Sequence, residues 1–265
     1  TNAINELNMC VNNIIFQSVL LALLLVGISN LSFIQTSSPD KSQLAFQYST
    51  NDKVLLNIYE VQDENGLLVE YTSYVLTPVC EDRICFNAEV DIYWDLLGNF
   101  VRFNPVEENP LTKLNHIPFA PSDYDKLTEI LLDQSPSFIH LKRSELIYED
   151  TNESDYVDGI SSATVAEVKK DMVEGAIYTC YTLWYIANGG ISFNIREHSS
   201  KRLSDQLIIE MVKSENIENH LFLTEKVDSS KFELFFDEIS SLRSKYDSFF
   251  LQRLVEKIPD QLFAK

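Results

Sequence analysis

Glycine is scarce in this chain, seven among 265 residues, and basic side chains are outnumbered, 21 Lys and Arg against 40 Asp and Glu. The shortage of glycine argues against a Gly-rich nucleotide-binding loop as the organising device, because such loops need backbone freedom and close approach to phosphate. The formal charge of −19 repels phosphate backbones and argues against nucleic acid as a partner. Among the four cysteines no second pair follows Cys80 and Cys85 at finger spacing, which argues against a finger-type zinc site. What the chain does have is a 45% hydrophobic and 11% aromatic composition, enough for a sizeable core and incompatible with a disordered or fibrous protein.

One long apolar run stands out. Ile14 to Ile34 carries no charge and has a Leu-rich centre, with Glu6 the only charged residue before it and a polar stretch, Thr36 to Ser42, after it. This pattern is expected to be an export signal or an uncleaved membrane anchor, with a buried core helix as the alternative. In an exported protein the close pair Cys80 and Cys85 reads as a structural disulfide, and a redox-active dithiol is the other reading.

Three organisational units follow: residues 1–40 as signal or anchor plus linker, 41–198 as an α+β domain, and 199–265 as a helical region. Alternating, β-branched and aromatic stretches between Leu67 and Phe103 predict two or three antiparallel strands, with turns at Cys80 to Cys85 and at Leu97-Gly98-Asn99. Residues 104–122, holding four of the eight prolines, read as a loop. A short helix is expected over Asp123 to Leu132, capped by Ser122 or Asp123 and buried through Tyr124, Leu127, Ile130 and Leu131. A long helical pattern then runs to Asn188-Gly189-Gly190, and further patterns lie near 201–213, 216–226, 230–241 and 246–256. The short spacing of the last four suggests a small solenoid of paired, HEAT-like helices.

The segment with chemical promise is Asp158-Gly159-Ile160-Ser161-Ser162-Ala163-Thr164. Small residues followed by a hydroxyl at the start of a helical pattern suit a phosphate, because free N–H groups and the positive dipole end converge there. An ordinary Ser N-cap is the plainer reading of the same run. The order resembles the flavinylation motif of FMN-binding domains, such as those of the sodium-pumping NADH:quinone reductase. The resemblance implies FMN esterified through its phosphate to Thr164 by a separate flavin transferase, with Asp158 as the acidic residue the transferase requires. Ser162 stands where the family most often has glycine. It further implies an FMN-binding-domain-like α+β fold, a small antiparallel sheet packed on helices, and electron exchange with membrane or envelope redox partners. His116, in a proline-bounded loop, is the histidine best placed to approach such a cofactor; Tyr178, Tyr181, Trp184 and Tyr185 read chiefly as core. The stretch from about 67 to 200 is also similar to a set of exported proteins of Bacteroidetes-type bacteria that share the Cys80 to Cys85 turn, the Tyr93 to Asn99 hairpin, the Pro110 to Phe119 loop and the Tyr178 to Trp184 helix.

Overall fold

The computed structural model describes residues 41–79, 86–146, 168, 171–214, 216–228 and 231. The chain divides into two units, residues 1–39 and 40–265; all described residues belong to the second. Among them no helix is long and apolar enough to cross a membrane. Ile14 to Ile34, the Cys80/Cys85 pair, Asp158 to Thr164 and the helical patterns near 230–241 and 246–256 lie outside the described residues, Lys231 excepted.

The fold is α+β, strands first and helices after. A five-stranded antiparallel meander comprises β1 (Lys41–Ser49), β2 (Leu55–Gln62), β3 (Leu68–Thr77), β4 (Ala88–Trp94) and β5 (Phe100–Pro105), each paired with its sequence neighbour. The last three are the strands expected from the alternation, and the Gly98 turn joins β4 to β5 as expected. The first two are a correction to a sheet beginning at Leu67. Leu56 and Ile58 of β2 face the core, but the next inward position is Glu60, and a charge on the buried face breaks the alternation that advertises a strand.

The inner face of the sheet, with Leu56, Ile58, Tyr71, Val75, Val90, Ile92 and Trp94, forms one core with the helices. On the opposite face Arg102 of β5 crosses 3.8 Å above the ring of Tyr93 on β4 and forks onto Glu70 of β3 at 2.6 and 2.7 Å. That arm covers Tyr93, which is buried although it lies on the outer side.

Helix α1 (Pro121–Leu132) starts two residues before the expected Asp123, and its N-cap is Ala120 instead of Ser122 or Asp123. Pro121 takes the first helical position, where its missing N–H costs nothing, and the Asp123 carboxylate reaches back to accept from Ala120 N–H at 2.7 Å. The proline-rich stretch before it is not a simple loop. Thr112 bridges Pro118, Lys113 N–H donates to Ile117 at 2.7 Å, and Asn115 and His116 are both left-handed at φ 59°, making a tight turn.

The expected long helix is interrupted. Gly175 turns the chain at φ +73°, and α2 (Ile177–Asn188) starts afresh after it. Nearly every side of α2 is buried, which makes it the central helix of the core. Its polar atoms tie down the segment after α1: Tyr181 donates to Leu141 O, Tyr185 to Ile139 O and Trp184 to Asp133 O, at 2.8 to 3.0 Å. These aromatic side chains are core and strap, as the sequence indicated.

Helix α3 (Ile191–Lys201) follows at once, then α4 (Asp205–Lys213), capped by Ser204 at Leu207 N, and α5 (Ile217–Lys226). The pattern expected near 201–213 is therefore the end of α3 plus α4, and a boundary at 198/199 falls inside α3. Two contacts fix the corner between α2 and α3. Buried Trp94 Nε1–H donates to Ala187 O at 2.7 Å, and Tyr48 OH donates to Gly189 O at 3.3 Å. Gly98 sits so close that a Cβ there would lie 2.4 Å from Ser192 Cα.

Gly98 and Gly66 are both left-handed, but at Gly66 an added Cβ would meet only Gln62 Oε1 at 3.8 Å. Gly66→Ala therefore carries the backbone cost alone, about 1 kcal/mol. Gly98→Ala adds displacement of α3 and is expected to cost about 2–4 kcal/mol. Urea unfolding midpoints of the two variants measure the contrast.

Candidate functional site

Six polar side chains, from β2, β3, α3 and the residue that ends α3, meet where α3 lies on the inner face of the sheet. Glu60 is the centre, its side chain only 1% exposed. A carboxylate in that position must be paired, because desolvation of a lone charge costs several kcal/mol. Arg202, just past the end of α3, approaches side-on, with Nε 2.9 Å from Oε1 and Nη2 3.0 Å from Oε2. Gln62, two residues along the same strand, adds Nε2–H to Oε2 at 3.2 Å. His198 Nε2 faces Oε1 at 3.8 Å.

The other side of His198 enters a chain of hydrogen bonds whose direction is fixed by its far end. Ser199 Oγ lies 2.7 Å from Leu96 O, a carbonyl that can only accept, so the one Ser199 hydroxyl proton is spent there. Tyr71 OH lies 3.0 Å from Ser199 Oγ and must then donate to it. With its own proton so used, Tyr71 accepts at 3.1 Å from His198 Nδ1, which therefore carries the ring proton. Neutral His198 is thus the Nδ1–H tautomer, and its bare Nε2 points at Glu60. Phe46 of β1 and Tyr71 wall the imidazole, with ring centroids 5.6 and 5.7 Å away.

The electrostatics follow the burial. Burial pushes the Tyr71 phenol up to about 12, so it stays a donor throughout the physiological range. Burial also lowers His198 below the usual histidine value; Glu60 pulls it up, while Arg202 and Lys201 push it further down. The cluster is not a hydrolase triad. Ser199 is buried with its proton committed to a backbone carbonyl, and Tyr71 stands between it and the imidazole. What the arrangement can do is hold one buried anion between a guanidinium and a ring nitrogen able to take a proton.

None of these six residues was singled out by the sequence. The signal was present in β2, where Glu60 takes an inward position of an alternating strand, but its guanidinium partner Arg202 lies 142 residues further along the chain and no spacing rule joins them.

Of the residues expected from the sequence, the structure describes only His116. It sits exposed at the hairpin tip, its ring 4.1 Å from that of exposed Phe86. The tip is bonded to the turn before α2, Leu114 N–H donating to Gly175 O at 2.7 Å. Asp158, Gly159, Ser161, Ser162, Ala163 and Thr164, with Cys80 and Cys85, lie outside the described residues. Cys180 is buried in α2, its thiol pushed up to about 12 by burial, which makes it an inert core residue. Among the described residues no group of His, Cys, Asp and Glu could hold a metal ion.

Arg202→Gln strands Glu60 in the core and is expected to cost about 2–3 kcal/mol, less than a fully buried pair because Arg202 is half exposed. Chemical denaturation against wild type measures it; a change below ~0.5 kcal/mol would show the pair to be idle. No family model matches this chain, nor does any curated protein or solved structure.

Proposed function

We propose that the chain is an exported or membrane-associated flavoprotein that carries FMN esterified through its phosphate to Thr164 and serves as an electron carrier, not a stand-alone enzyme. The observation that carries this reading is the ordered run Asp158-Gly159-Ile160-Ser161-Ser162-Ala163-Thr164. A cap requires only one Ser or Thr; it does not call for an acidic residue, a small-residue turn and Ala-Thr in that order. FMN would supply the one- and two-electron chemistry, and the protein its position and surroundings. The apolar run Ile14 to Ile34 supports placement in the periplasm or on the membrane, with a Cys80–Cys85 disulfide suited to that compartment.

Among the described residues, Arg143 has the chemistry that a phosphate needs. It donates Nη2–H to Val79 O and to Thr182 Oγ1, and its guanidinium stands 5.7 Å over the ring of Tyr178. Its Nε is buried without an acceptor, a condition that an anionic oxygen would relieve. Arg143 would hold the phosphate end. His116, stacked on Phe86 at an exposed tip anchored to Gly175, would meet the ring. An FMN-binding-domain-like sheet and a HEAT-like helical part that presents a surface to envelope redox partners complete the reading; the pairing of α4 with α5, where His220 Nε2 lies 2.8 Å from Val212 O, supports the helical part.

One observation favours a second reading, a binding or scaffold subunit that keeps the fold without flavin. The α2 rings that could have lined a flavin are spent on packing and on bonds to the 133–141 segment.

The test is intact mass of the full chain exported from a host that has a flavin transferase. The flavin reading expects an added FMN mass and a yellow colour that survives denaturation, both lost in Thr164→Ala. Unmodified wild-type protein under those conditions leaves the scaffold reading.

A further inference from the structure

The polar joint between α3 and the sheet holds two cationic candidates for one carboxylate, and only one of them is engaged. Arg202 takes both Glu60 oxygens. His198 faces Oε1 at 3.8 Å with an unprotonated Nε2, because the bonds through Tyr71 and Ser199 to Leu96 O keep the ring proton on Nδ1. A proton arriving at Nε2 requires no rotation of the ring and no break in that chain, since Nδ1 donates to Tyr71 in both charge states. It turns a lone pair aimed at a carboxylate into a charged donor, for which the preferred separation is about 2.8 Å.

We propose that this joint is a proton-operated latch: a proton taken up from solvent at His198 Nε2 draws Glu60 off Arg202, and the Arg202 end of α3 lets go of the sheet. The inference is independent of the flavin reading.

The charges around the ring set its sense. Facing His198 are Glu60 and Gln62 from β2, Tyr71 from β3, and Lys201 and Arg202 from its own helix; β1 offers the uncharged Phe46, and the β4–β5 turn offers Leu96 O. With Arg202 seated, a protonated ring would leave two cations beside one buried anion, which is why burial with Arg202 and Lys201 holds the imidazole below its ordinary value. With Arg202 released, the ring has Glu60 to itself and its proton affinity rises. The form that binds the proton more tightly is populated as pH falls, tenfold for each unit by which the two affinities differ.

Arg202 is built to be the part that moves. It follows the last helical residue of α3, its side chain is 42% exposed, and its own carboxylate contact is with Glu60. The rest of α3 has other anchors: Ile191 and Ile195 are in the core, and Glu197 pairs with Lys226 of α5 at 2.6 Å. Opening is therefore confined to the end of α3 and the link to Ser204, the α4 cap. The sign follows from the depressed folded value. Above about pH 6.5 His198 is neutral in folded and unfolded chains alike and the closed joint is at full strength; it weakens as pH falls from there through the folded value.

Hydrogen exchange of the full chain, read by mass spectrometry at about pH 7.5 and about pH 5.5 with times scaled for intrinsic rate, tests this across the histidine range. Peptides over 199–204 should exchange at least ~10-fold faster at the lower pH, while those over 127–132 in α1 stay protected. His198→Asn, which keeps a donor toward Tyr71 and cannot titrate, should abolish the change. Equal protection at both pH values, a change that persists in His198→Asn, or equal loosening of α1 would overturn the latch. Should His198→Asn fail to fold, Arg202→Gln serves: with the competing cation gone, the NMR titration midpoint of His198 should rise, and an unchanged or lower midpoint overturns the proposal.

Discussion

Glu60 is a carboxylate on the inner face of a sheet, shut off from water, and the architecture around it reads as a set of answers to that one burial. Leaving it without a partner would take a large share of a domain's net stability. It is met by a guanidinium from the end of α3, an amide from its own strand and a histidine whose second nitrogen is tied through Tyr71 and Ser199 to the β4–β5 turn. Those bonds join the N-terminal half of the sheet to helices about 140 residues later, so docking of α3 in the right register is a condition for burying β2 at all.

Uncharged contacts set the same helix at its other end. Trp94 Nε1–H on Ala187 O, Tyr48 on Gly189 O and the close approach of Gly98 to Ser192 leave little freedom at the corner where α2 becomes α3. The two ends differ in kind. The Gly189–Gly190 corner is held by uncharged hydrogen bonds and close packing. The Arg202 end adds an ion pair, one partner of which sits beside a group that titrates. Of the two ends, only the second has a contact whose strength follows protonation.

How much of this could be read beforehand depends on whether a residue's role is local. Strands β3 to β5 and the Gly98 turn were legible because Leu68 to Thr77 and Ala88 to Trp94 alternate and turn residues bound them. Helix α1 was legible by its apolar face, Leu127, Ile130 and Leu131. Strand β2 escaped because Glu60 occupies a core position that only Arg202 makes tolerable, and that compensation is invisible at short range. Gly175 cut the expected long helix because its left-handed turn also receives the hairpin through Leu114. The candidate site shows the opposite imbalance. The run Asp158 to Thr164, which the sequence singled out, is a local string and lies outside the described residues, whereas the Glu60 cluster is a tertiary object that no local string encodes.

The central claim is a proton count. Leu96 O can only accept, and from that the bonds run back through Ser199 and Tyr71 to a proton on His198 Nδ1 and a bare Nε2 before Glu60. Nitrogen NMR of the His198 ring, recorded on the folded chain at neutral pH, reads this directly. Protonated Nδ1 with unprotonated Nε2 is the expected pattern; a proton on Nε2 alone, or on both nitrogens at that pH, would contradict it.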